Sequence, residues 1–62
     1  MDIVDFIIEY EQDGYTVKNK DDLLQVIDFC QTLAQSQGKY GRLVNELQAI
    51  LNDKGTIYPF II

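Results

Sequence analysis

A chain of 62 residues is read as a single domain spanning 1–62. At that length only about 60% of the surface of the unfolded chain is buried on folding, so the core is small and a partner is a natural source of further burial. Hydrophobic residues make up 47% of the chain, too many for a disordered segment, yet no apolar run approaches the roughly 20 residues that span a bilayer, so no membrane is expected as a partner. Ten acids against five bases leave a net charge of −5, which repels nucleic acid and anionic lipid and draws the molecule toward basic surfaces.

In chain order, residues 2–12 come first. Ile3, Val4, Ile7 and Ile8 fall on a helical face, while Val4, Phe6, Ile8 and Tyr10 alternate as a strand would. The polar residues decide for a helix: Asp2, Asp5, Glu9 and Asp13 recur at steps of three and four, forming an acidic stripe with no base among the first thirteen residues. Gln12, Asp13 and Gly14 make a turn, with Gly14 suited to positive φ, and Tyr15, Thr16 and Val17 form a short extended connector.

The periodicity then predicts a central helix over 20–37 and another over 40–53, all three helices making an all-α domain. Asn19 or Asp21 caps the central helix, and Asp21 and Asp22 place negative charge at the positive end of its dipole. Its apolar face is read as Leu23, Leu24, Ile27, Cys30 and Leu33/Ala34, and that of the last helix as Tyr40, Leu43, Val44, Leu47, Ile50 and Leu51. The joint Gly38-Lys39-Tyr40-Gly41 makes the two a helical hairpin, with Gly38 placed in a left-handed cap and Gly41 where the backbones approach. Gly55 is the expected cap of the last helix. Beyond it Ile57, Tyr58, Pro59, Phe60, Ile61 and Ile62 form an extended apolar C-terminal tail, lying over the helices or on a second chain; a homodimer is the expected means of covering it.

Catalytic chemistry is poorly supplied. There is no histidine, the one serine is Ser36 at a helix end, and Cys30 lies on an apolar face with nothing to activate it, so neither an enzyme nor a cofactor or metal is expected. One cysteine cannot form an internal disulfide, and Met1 is followed by no basic and apolar leader pattern, so a cytoplasmic location is expected. Ala34, Gly38 and Val44 match the spacing of a helix-turn-helix over 33–47, in which Lys39 and Arg42 would contact DNA. Gln37 and Lys39 stand where apolar residues brace such a turn, and two bases neutralise few phosphates, so nucleic acid is the less favoured partner.

Size, acidity, the joint Ser36-Gln37-Gly38-Lys39-Tyr40-Gly41-Arg42-Leu43 and the helix entry from Gly14 to Leu23 give the chain a look that resembles small acidic proteins encoded by prophages and tailed phages of Gram-positive bacteria. That resemblance implies host takeover, lysogeny control or regulation through protein contacts, and carries no site residues. The expected function is thus contact with a protein through Asp2, Asp5, Glu9 and Asp13 and through Ile57, Tyr58, Phe60, Ile61 and Ile62. The alternatives are a DNA-binding regulator, and an acidic inhibitor or DNA mimic that occupies a basic site.

Overall fold

The computed structural model describes all residues 1–62, in the order α1 (Ile3–Gln12), β1 (Thr16–Val17), α2 (Lys20–Ala34), α3 (Gly38–Asn52) and β2 (Phe60–Ile61). The three helices stand as expected with shifted ends, but the domain is not all-α, because the extended connector and the tail pair as an antiparallel two-stranded sheet. Thr16 lies opposite Ile61 and Val17 opposite Phe60.

The first helix starts where Asp2 turns its carboxylate onto the Asp5 amide at 3.0 Å. Its buried arc is Phe6, with Ile3, Ile7 and Tyr10 half-buried, the i, i+3, i+4, i+7 set one step away from the Ile3, Val4, Ile7, Ile8 face read from the sequence. Aromatic packing sets that rotation: the Phe6 ring meets Tyr15 edge-on with centroids 5.3 Å apart, Tyr10 at 5.8 Å and Phe29 at 5.9 Å. Gly14 ends the helix at φ 87°, and a Cβ there would stand 2.8 Å from the Ile62 carbonyl oxygen, so this turn needs a glycine twice over.

Asn19 is the cap of α2, its side-chain oxygen accepting from the Asp22 amide at 2.9 Å. Asp22 then joins three pieces of chain: the Tyr15 hydroxyl donates to Oδ1 at 2.8 Å and the Lys18 amide to Oδ2 at 3.0 Å. The buried arc of α2 is Leu23, Val26, Ile27 and Cys30; Leu24, one residue round the helix, is instead 46% exposed.

Gly38 does not close α2. That helix ends at Ala34 in a tight turn, with the amides of Ser36 and Gln37 bonded to the Leu33 carbonyl at 3.1 and 2.9 Å; extended Gln37 then starts α3, and Gly38 is already helical. Tyr40, Leu43 and Leu47 are the buried residues of α3, and Val44, Ile50 and Leu51 pack against the core at its edge. A Cβ on Gly41 would lie 3.7 Å from that of Ala34, ordinary contact, so the helices meet here without needing a glycine. Gly55 is likewise no left-handed cap, Gly14 being the sole residue with positive φ. The turn after α3 is held by Asp53 Oδ1, which accepts from the Gly55 amide at 2.9 Å, and by the Thr56 hydroxyl, which donates to the Ile50 carbonyl at 2.9 Å.

The tail is therefore not a free extended segment. Residues 54–59 turn back, through a cis Tyr58–Pro59 peptide, so that β2 reaches β1, and Tyr15 and Ile62 exchange both backbone hydrogen bonds, at 3.1 and 2.9 Å. The period of two carries Tyr15 and Val17 into the core and Thr16 out, and on the partner strand half-buries Phe60 and Ile62 while Ile61 faces water. The tail is thus held within the chain by pairing with β1.

Candidate functional site

The acidic residues of α1 divide by what they touch. Asp2 has a structural task as the cap, whereas Asp5, Glu9 and Asp13 are exposed along one side of the helix. At the C-terminal end of α1 an open groove of about 400 Å³ has Glu9, Gln12, Asp13, Tyr15, Lys18 and Met1 among its lining residues. The last turn of α1 contains no base, so the groove combines two carboxylates with the negative end of the helix dipole, and Lys18 is its one basic side chain.

Glu11, on the other flank, is taken up within the fold. Its Oε1 is 2.9 Å from Lys39 Nζ and accepts from the Tyr40 hydroxyl at 3.4 Å, tying α1 to the start of α3. The hydrogen bond and charge of Lys39 pull the Glu11 carboxyl below its ordinary pKa, and the same hydrogen bond raises that of Lys39. Both side chains are about half exposed, so water screens the pair and its share in stability is small. Burial, more than the carboxylate of Asp22, pushes the Tyr15 phenol upward, and burial alone takes Cys30 to about 11, leaving a protonated, inert thiol.

Beside these acids the structure exposes apolar side chains that belong to no core. Val4 is 58% and Ile8 49% exposed on α1; Ile57 is 82% and Ile61 71% exposed at the opposite end of the chain. Tyr58, Phe60 and Ile62, which share the tail with them, are half-buried and pack against the core. Of the two bases placed in the helix-turn-helix reading, Lys39 is bound to Glu11 and lies 5.2 Å over the Tyr40 ring, and only Arg42 stands unpaired. The left-handed turn glycine of that reading is also missing, since Gly38 is a helical residue. No group of three or more Asp, Glu, Cys or His side chains is arranged to hold a metal, and no helix is long and apolar enough to cross a membrane.

The exposed pair Val4 and Ile8 is what the sequence reading assigned to the core. The signal that points outward is a surplus: α1 holds Ile3, Val4, Phe6, Ile7, Ile8 and Tyr10 within ten residues, more apolar side chains than one helical face accommodates. Among known proteins, no family model, curated protein or solved structure matches the chain.

Proposed function

We propose that this protein is a non-enzymatic regulator that works by contact with another protein, as a phage-encoded factor in the cytoplasm of its host. One observation carries the reading: no buried polar side chain lacks a partner inside the fold, while Val4 and Ile8 remain in water on the helix that bears Asp5 and Glu9, and Ile57 and Ile61 remain in water near the end of the chain. The likeness to small prophage proteins supports a role in host takeover or lysogeny control. An inhibitor that occupies a basic site, or a DNA mimic, is the form this reading takes if the acids dominate the contact. The motive for a homodimer is weaker than the tail suggested, since Phe60 and Ile62 are covered within the chain and only Ile57 and Ile61 are left to pair.

Affinity capture from a Gram-positive host, paired with a duplex DNA titration at low salt, tests the proposal. A protein retained by the parent and lost from Asp5→Lys/Glu9→Lys or Ile57→Ser/Ile61→Ser supports it, together with no saturable DNA binding. Submicromolar DNA affinity that falls steeply with salt and drops on Arg42→Ala would replace it with the DNA-binding regulator.

A further inference from the structure

The outer face of α1 runs against the needs of folding in two ways. Val4 and Ile8, one turn apart on a single stripe, are β-branched residues at exposed helical positions, where straight-chain residues lose less side-chain freedom. Asp5 and Glu9, on the adjoining stripe, are like charges at i and i+4, which weaken a helix slightly. Asp5 lies in the first turn, where the helix dipole favours an acid, but Glu9 has no such support, and neither carboxylate takes part in a hydrogen bond or ion pair within the chain. A feature that costs helix stability without serving the core is the mark of a surface kept for something else.

Resting on the reading that the protein acts through protein contacts, we infer that the outer face of α1 docks a basic amphipathic helix of its partner. Charge chooses the occupant. An apolar stripe on the incoming helix covers Val4 and Ile8, and lysine or arginine side chains beside it meet Asp5 and Glu9. Ten residues of α1 give about 15 Å of contact, some three turns of a partner. At its end one further base enters the groove beside Glu9 and Asp13, where the helix dipole is negative and Lys18 is the one basic side chain already present. A second copy of this chain does not fit, because pairing two α1 faces would set acidic stripes side by side on molecules that each bear a charge of −5.

The test is a fluorescence anisotropy titration with a labelled helical peptide of about four turns that has leucines on one stripe and lysines flanking it. Saturable binding that weakens with salt is expected, and Val4→Gln/Ile8→Gln should weaken it about tenfold or more. Asp5→Asn/Glu9→Gln should weaken it about fivefold and flatten its salt dependence, while Asp28→Asn/Glu46→Gln, which removes the same charge elsewhere, should change it less than about twofold. Circular dichroism of these surface variants confirms that each is folded. Absence of saturable binding, or an equal loss in the control pair, overturns the inference. So does sedimentation showing a dimer that Val4→Gln/Ile8→Gln converts to monomer, which would make a second copy the occupant. A host protein lost by Ile57→Ser/Ile61→Ser and kept by the α1 variants would also overturn it, moving the contact to the tail and leaving the protein-contact reading standing.

Discussion

Leu47→Asp unfolds the domain. Leu47 is fully buried at the centre of α3, in one cluster with Leu43, Tyr40, Leu23 and Cys30, and no buried base or free donor stands in that cluster to meet a carboxylate. Placing an unpaired charge there costs several kcal/mol, even when the group responds by taking up a proton. The net stability of a small domain is about 5 to 15 kcal/mol and lies at the low end for a chain this short, so one such residue is enough. Helical circular dichroism should be largely lost at room temperature. Gln48→Asp, on the exposed side of the same turn, should melt with the parent. If Leu47→Asp melts within a few degrees of the parent, the buried face of α3 has been assigned to the wrong residues.

Deleting the chain from Thr56 onward has the next largest effect. The truncation removes β2, the two backbone bonds between Ile62 and Tyr15, and the Thr56 hydroxyl from the end of α3. It also uncovers Val17 and Tyr15, whose burial depends on the strand lying beside them. Phe60 and Ile62 together account for about 1.5 to 3 kcal/mol of lost burial, since each is half-covered and a fully buried side chain of that size contributes roughly 1.5 to 3. In a domain of this size each kcal/mol moves the melting point by about 4 to 8 °C, so a drop of at least about 6 °C is expected by calorimetry. Ile57→Ser, which alters a side chain already in water, should leave the midpoint in place. A truncated protein with the parent's melting point would mean that the strand pairing is marginal and the tail is available to a partner.

The two larger helices were legible because each repeats its apolar residues over four turns, and Leu23, Ile27, Cys30, Tyr40, Leu43 and Leu47 fall where that repeat puts them. Their margins were not. Leu24 and Val26 differ by little in hydrophobicity, and only the packing of neighbouring elements, α3 above all, decides that Val26 is covered and Leu24 is not. The sheet was hidden for a different reason: its strands are two residues long, lie near opposite ends of the chain and pair through backbone groups that every residue possesses. The turn at Gly14 was readable from the residue alone. At Gly38 the same reasoning misplaced the cap, because α2 finishes its hydrogen bonds through Leu33 and leaves the glycine nothing to do. The acidic stripe was visible as a spacing, whereas its neighbour, the outward pair Val4 and Ile8, emerged only once the aromatic cluster around Phe6 had fixed the rotation of α1.

That rotation puts one side of α1 in the core and leaves Val4 and Ile8, the proposed docking face, in water. Backbone amide chemical-shift mapping of the isotopically labelled full chain, titrated with the lysine-flanked helical peptide, tests that docking most directly. The amides of Val4, Asp5, Ile8, Glu9 and Gln12 are expected to shift together and saturate, with the amides of α3 unmoved. Shifts centred on Lys39 and Arg42, or on Ile57 and Ile61, would contradict it.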